Sequence, residues 1–308
     1  MVLRFASLAA SVALLWSGVA QADVAVVTSI KPVHSLVSTV MEGAGTPALL
    51  VDGASSPHAF SLRPSAARSL SRANVVFWVD EALEGFLVRP IASLAGDATV
   101  VTLLDTPGLT LLDLREGGTF DAHDHGHGAA GHGHDAVNPH VWLDPKNAAV
   151  MVEEIARALA EADPENAALY RTNAAQAQAS LAALTDELTA TLEPVRGARF
   201  VVFHDAYPYL EARFGVEAAG AITLRPELSP GAAQLGEIRR AIEALDVPCV
   251  FAEPQFEPRL VTSLVDGTGA TVGTLDPLGA AAEAGPGHYA AMMRANVAAL
   301  RECLSPPA

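Results

Sequence analysis

The sequence predicts an α/β protein of two Rossmann-like lobes with parallel sheets, joined by a long rigid helix. Short apolar runs alternate with helical patterns over residues 24–103 and again over residues 199–303. Such β-α alternation is typical of parallel sheets covered by helices. Residues 164–192, between these two stretches, are rich in alanine and leucine and contain no glycine. The 308 residues, half of them apolar, suit two hydrophobic cores better than one.

Each element is predicted from its local pattern. In the first half, apolar runs predict strands at residues 24–29, 48–51, 75–79 and 99–103, and periodic stretches predict helices at 32–41, 64–72, 83–94 and 145–162. The second half repeats this rhythm, with strands at 199–204, 216–223, 249–253 and 271–275 and helices at 207–214, 231–245, 258–266 and 288–303. A helix over 164–192 would be about 40 Å long, which suits a rigid connector, although an ordinary long core helix has the same pattern.

The N-terminus carries the features of an export signal. Arg4 precedes a short apolar run at residues 8–16, and a small-x-small sequence ends at Ala22. The apolar run is shorter than a membrane-spanning helix needs, so we expect cleavage after Ala22 and a soluble periplasmic protein rather than an anchored one. The predicted units are a signal peptide at 1–22, a first lobe at 23–162 that carries a disordered histidine-rich loop at 119–137, a linking helix at 163–194, and a second lobe at 195–308.

Charge and cysteine content limit the possible partners. The chain has 35 acidic and 19 basic residues, a formal net charge of −16. This balance argues against nucleic acid and anionic membranes as partners and favours cations. Cys249 and Cys303 are the only cysteines. In an oxidising compartment they suggest one disulfide between a core strand and the C-terminal helix, with two free buried thiols as the alternative.

A histidine-rich stretch points to transition-metal handling. Half of the ten histidines lie within twelve positions, interleaved with Asp, Gly and Ala: His123, His125, His127, His132 and His134. Imidazole nitrogens suit Zn, Cu and Ni, and small spacers let several rings reach one ion. Such a stretch could carry, store, sense or use a metal, or be a merely solvated loop. Its position after the fourth strand predicts attachment to the first lobe.

A second set of metal-ligand residues is spread over both lobes. His58 and His140 lie in predicted loops of the first lobe, while His204 and Asp276 end predicted strands of the second. Because ligands of open parallel sheets bind at the carboxyl ends of strands, all four could face one crevice. Three imidazoles and one carboxylate would form a tetrahedral Zn²⁺ site. Of the other histidines, His34 could face the cleft or lie in the core, and we expect His288 at the surface.

Several motifs in order carry a family resemblance: Gly53–His58 with Ser61–Ser65, the histidine-rich stretch, His140–Pro145, Phe203–Tyr207, Phe251–Gln255 and Gly273–Gly279. With them the chain resembles the zinc-specific substrate-binding proteins of bacterial ABC importers, the metal-binding cluster A-I (cluster 9) family. The resemblance covers essentially the whole mature chain. It implies that His58, His140 and His204 bind zinc, that Cys249 and Cys303 form a disulfide, and that a monomer delivers Zn(II) to a membrane permease without being an enzyme.

At the position of a fourth ligand, this chain differs from some members of that family. Those members have an acidic residue before the first histidine, where this chain has Pro57, so Asp276 or a water must fill the position. Manganese-type relatives tend to have a carboxylate in place of the third histidine, so His204 favours zinc. The alternatives are an exported zinc storage or chaperone protein and, less favoured, a zinc hydrolase. A hydrolase would need a general base, for which Glu253 and Glu227 are the candidates.

Overall fold

The chain folds around two four-stranded sheets, and the computed structural model describes residues 24–120, 137–224, 226, 228 and 230–305. The strands of the first sheet are Val26–Ile30 (β1), Ala48–Val51 (β2), Val75–Trp78 (β3) and Thr99–Thr102 (β4). Those of the second are Arg199–His204 (β5), Glu217–Thr223 (β6), Cys249–Ala252 (β7) and Thr271–Thr274 (β8). The strand orders are β2-β1-β3-β4 and β6-β5-β7-β8, and all pairs are parallel. The two-lobe α/β prediction is therefore confirmed.

Helices cover both sheets in the predicted order. They are Lys31–Val40 (α1), Pro64–Leu70 (α2), Val88–Leu94 (α3), Pro145–Ala162 (α4), Ala167–Leu192 (α5), Pro208–Phe214 (α6), Ala232–Ala244 (α7), Arg259–Val265 (α8) and His288–Leu304 (α9). The helix predicted at 83–94 starts late, after a 3-10 turn at Gly85–Leu87. The carboxylate of Glu84 accepts the backbone N–H groups of Val79 and Asp80, which folds the chain back at the end of β3.

One hydrophobic core extends through both lobes. Side chains of β5 alternate in direction, so Phe200 and Val202 join the large core shared with the first lobe, while Val201 and Phe203 join a smaller one. Helix α5 packs against α1 and α4 of the first lobe and against α9 of the second. The long helix is thus part of a shared core, which favours a rigid relation between the lobes.

The loop between β8 and α9 is fastened to the first lobe. The buried ammonium of Lys31 donates to the carbonyl oxygens of Ala280 and Ala282, both at 3.0 Å. The indole N–H of Trp142 donates to the Pro277 carbonyl at 2.8 Å. This loop covers the start of α9 and leaves His288 only 2 % exposed. The expected surface position of His288 is therefore wrong.

The described stem of the histidine-rich loop pairs with the second sheet. Gly118 accepts a hydrogen bond from the N–H of Ala221, and Phe120 donates to the carbonyl of Ala219. A Cβ at Gly220 would lie 2.5 Å from the Gly118 oxygen, so the close approach requires glycine. The sequence predicted attachment to the first lobe. On the far side of the loop Val137 pairs with Asp113 of the first lobe, whereas the stem before the loop lies along β6. The five histidines themselves, like the predicted signal peptide, lie outside the described residues.

A disulfide joins β7 to α9. Cys249 and Cys303 are bonded, with their Cα atoms 6.0 Å apart, so this prediction is confirmed. The cross-link closes a loop of 54 residues within the second lobe and limits the freedom of its unfolded chain. In the part of the chain that the structure describes, no helix has the length and apolar character needed to cross a membrane.

Candidate metal centre

Three histidines from both lobes converge on one point. His58 lies in a 3-10 turn at Pro57–Ala59, after β2, and His140 immediately precedes another at Val141–Leu143. His204 is the last residue of β5. Within the described ranges, they form the one group of His, Cys, Asp or Glu side chains whose ligand atoms all lie within 4.8 Å of one another.

The spacing of the three rings suits a tetrahedral ion. The Nε2 atom of His140 lies 3.4 Å from that of His58 and 3.3 Å from that of His204. Two nitrogens bound at about 2.0–2.1 Å from a tetrahedral zinc ion are about 3.3–3.4 Å apart. The donor set and its spacing therefore fit Zn²⁺ with little rearrangement.

His204 is the most firmly supported ring. Glu253 directly follows the neighbouring strand β7, and one of its carboxylate oxygens accepts the Nδ1–H of His204 at 2.7 Å and its backbone N–H at 3.3 Å. Both residues are buried. Because Nδ1 carries the proton, the lone pair of Nε2 is directed at the other two histidines.

His140 is held by an amide rather than a carboxylate. The side-chain oxygen of Asn138 accepts the Nδ1–H of His140 at 2.8 Å. The ring also packs against Trp142, with centroids 5.2 Å apart. Both Asn138 and His140 are buried, so the ring has one hydrogen-bond partner on its Nδ1 side and the other histidines on its Nε2 side.

His58 has weaker support. It is half-buried, and its ring centroid lies 5.4 Å from that of His140 and 5.7 Å from that of His204. Burial, and secondly the nearby His204, lower the pKa of His58 to about 3. Burial likewise holds the pKa of His140 well below its ordinary value. Both rings are thus neutral at pH 7, the form in which imidazole binds a metal.

Asp276 is not brought into this group. One carboxylate oxygen accepts the side-chain N–H of Gln255 at 2.8 Å and the backbone N–H groups of Leu278 and Gly279, while the other accepts that of Ala280. The carboxylate caps its own turn after β8. His34 lies in the core, with its Nε2 atom 3.2 Å from the Pro47 carbonyl oxygen.

The residues that hydrogen-bond to the proposed ligands were not identified from the sequence. Glu253 was considered only as a general base, and Asn138 was not singled out. One clue was available for Glu253: it follows β7 as His204 ends β5, and these strands are neighbours, so both side chains lie at one sheet edge. Nothing comparable identifies Asn138, since its role depends on a tertiary contact with the second lobe.

Comparison with known proteins assigns the family. Residues 26–303 match the family model ZnuA, described as the periplasmic component A of a zinc-uptake complex. The chain belongs to the ZnuA family. Its members are periplasmic components of zinc-uptake systems, so zinc and a membrane permease are the implied partners of the family.

Relatives of the ZnuA family are similar over most of this chain. A high-affinity zinc uptake system protein ZnuA from Brucella suis biovar 1 is 46% identical over 305 residues, covering 91% of each chain. The protein of the same name from Paracoccus denitrificans is 38% identical over 297 residues, again covering 91% of each. The structure of a laminin-binding adhesin mutant from Streptococcus agalactiae matches with a TM-score of 0.76 at 27% identity, over 92% of this chain and all of that one.

Proposed function

We propose that this protein captures periplasmic Zn(II) with His58, His140 and His204 and delivers it to the permease of an ABC importer. The observation that carries the proposal is the convergence of three imidazole nitrogens from two lobes, with Nε2 atoms 3.3 and 3.4 Å apart. Zinc is the cargo. The chain acts as a monomer after its signal peptide is removed behind Ala22.

Zinc, rather than manganese or calcium, suits the donor set. Three neutral imidazoles match a borderline-soft ion, whereas harder ions prefer oxygen ligands. A water completes the tetrahedron, since the Asp276 carboxylate already accepts four hydrogen bonds. Residues 121–136 supply a weaker and exchangeable set of imidazoles.

A carrier fits this site better than a hydrolase. A zinc hydrolase needs a general base that can reach the metal-bound water. One oxygen of Glu253 is instead bonded to Nδ1 of His204, on the side of the ring away from the other histidines. The second candidate base, Glu227, lies outside the described residues.

The lobes are expected to move little when zinc binds. They share one core and are tied by Lys31 and Trp142, so we expect small tilts and adjustment of the loop that carries His58. Small-angle scattering with and without zinc tests this. A change in radius of gyration of several ångströms would contradict it.

Zinc titration by calorimetry tests the site directly. We compare the wild type, a deletion of residues 121–135, and the single substitutions His58→Ala, His140→Ala and His204→Ala. The deletion should keep one tight site and lose weaker binding, while each substitution should weaken the tight site at least a hundredfold. If tight binding disappears with the deletion and survives the substitutions, the proposed site is wrong.

A further inference from the structure

Asn138 lies between two ligand-bearing segments that come from different lobes. Its side-chain oxygen accepts the backbone N–H of His140 at 3.1 Å and lies 2.8 Å from Nδ1 of the same residue. Its side-chain nitrogen donates to the backbone carbonyl of Asp205 at 2.7 Å. Asp205 directly follows His204, so one buried amide contacts the segments of two proposed ligands.

The orientation of the amide is fixed by backbone groups. A backbone N–H can only donate and a carbonyl can only accept, so the atom that faces the N–H of His140 must be the oxygen of Asn138. That oxygen can only accept from Nδ1 of His140. The proton of the neutral ring is therefore on Nδ1, and the lone pair on Nε2 faces His58 and His204.

Further hydrogen bonds hold both Asp205 and Asn138 in place. The guanidinium of Arg115 bonds one carboxylate oxygen of Asp205 and both oxygens of Glu211. The hydroxyl of Tyr209 donates to the backbone carbonyl of Asn138 at 2.8 Å. Asp205 and Asn138 are thus held by contacts that do not involve His140. Through Asn138, the orientation of the His140 ring depends on the position of the second lobe.

We propose that Asn138 is a positioning residue for zinc: it sets the tautomer and direction of His140 and ties that ring to the strand end that carries His204. The inference rests on the proposed function. Hydrogen-bond partners of metal-binding histidines typically account for ten- to hundredfold of the affinity. Asn138 also donates to the backbone carbonyl of Asp205, next to His204, so it links the segments of two proposed ligands across the lobes.

Asn147 offers a matched control for substitution. It is also a buried asparagine, and it also bridges two backbone groups: its oxygen accepts the N–H of Thr110 and its nitrogen donates to the Thr110 carbonyl, both at 2.9 Å. No histidine is among these partners. Asn147→Ala therefore removes the side-chain hydrogen bonds of a buried asparagine, two part-buried bonds to the backbone, without altering the support of the proposed site.

The test compares Asn138→Ala and Asn147→Ala with the wild type in the full mature chain. Zn(II) affinity is measured by chelator competition, and one equivalent of Co(II) reports coordination geometry through its visible d–d bands. We expect Asn138→Ala to weaken zinc binding ten- to hundredfold and to shift the Co(II) bands. Asn147→Ala should change zinc affinity less than twofold and leave the Co(II) spectrum unchanged, although both variants melt earlier without metal.

These measurements distinguish failure of the positioning role from failure of the proposed function. Wild-type affinity and an unchanged Co(II) spectrum in Asn138→Ala would overturn the positioning role. Tight binding by the wild type that survives His140→Ala would overturn the proposed function instead. Where Asn138→Ala does not fold, Asn138→Ser replaces it, since a hydroxyl is too short to contact both His140 and Asp205.

Discussion

The two lobes have the same strand order but present their proposed metal ligands differently. Strands β1 and β5 occupy equivalent positions in their sheets. β5 ends in His204, so a strand positions this proposed ligand, whereas β1 runs directly into α1. The first lobe instead has His58 within a 3-10 turn and His140 directly before another. One architecture thus provides one proposed ligand from a strand end and two from loops with 3-10 turns.

Buried glutamates sharpen the contrast. β3 and β7 are equivalent strands; Glu253 directly follows β7, whereas Glu84 lies further along, in the turn after β3. Glu84 accepts backbone N–H groups of Val79 and Asp80, while Glu253 accepts the imidazole N–H of His204. A buried glutamate that comes after equivalent strands therefore stabilises a turn in one lobe and orients a proposed ligand in the other. Mutations can test whether this division of roles is real.

The largest effect on stability is expected at Arg115, which pairs with Asp205 and Glu211 of the second lobe. Arg115→Met removes the guanidinium between Asp205 and Glu211 and leaves two buried carboxylates without their cation. Loss of one partner from a buried ion pair costs about 3–5 kcal/mol. Urea unfolding of the metal-free protein measures this loss.

The control for Arg115 is Arg157, which also bonds two carboxylates, Glu154 and Glu161. Its side chain is 53% exposed, compared with 20% for Arg115. Arg157→Met should cost only about 0–1 kcal/mol, because exposed ion pairs contribute little. Equal losses in the two variants would show that burial of the Arg115 cluster does not matter to stability.

A pH-dependent effect of about 3 kcal/mol is expected in the first lobe. Burial raises the pKa of Glu84 from its ordinary 4.5 to about 7. Between these values the unfolded chain loses the proton that the folded chain keeps, so stability falls as pH rises from 4.5 to 7. At about 1.36 kcal/mol per unit, the fall amounts to about 3 kcal/mol.

Glu84→Gln isolates this contribution, because glutamine does not titrate. The free energy of unfolding of the variant should be close to that of the wild type at pH 5 and about 3 kcal/mol higher at pH 8. Urea unfolding at both pH values measures the difference. A constant difference between variant and wild type across this range would show that Glu84 titrates normally.

Zinc affinity should distinguish the two glutamates. Glu253→Ala removes the acceptor for Nδ1 of His204, and we expect zinc binding to weaken ten- to hundredfold, about 1.4–2.7 kcal/mol. Glu84→Ala, in the turn after the equivalent strand of the first lobe, should change zinc affinity less than twofold. Competition with a chelator measures both. Similar losses would mean that the two lobes do not differ in the way proposed.

Strand ends and long helices were predictable from the sequence, whereas side-chain partners were not. β5 and α4 have the predicted bounds because a continuous apolar run and a capped periodic stretch define them locally. The stem at residues 118–120 was missed because its pairing with β6 depends on a distant glycine, Gly220. The bridging role of Asn138 was missed for the same reason: its bond to His140 is local, but its other partner, the Asp205 carbonyl, is 67 positions away.

Asp276 tests whether a strand-end position alone makes a ligand. His204 ends a strand of the second lobe and Asp276 follows another, yet the carboxylate of Asp276 accepts three backbone N–H groups and one N–H from Gln255. Asp276→Asn places an amide N–H against the N–H of Ala280, so we expect a loss of about 1–2 kcal/mol in stability. Zinc affinity should change less than threefold. A hundredfold weaker affinity with unchanged stability would instead make Asp276 the fourth ligand, and the second lobe would then supply half of the site.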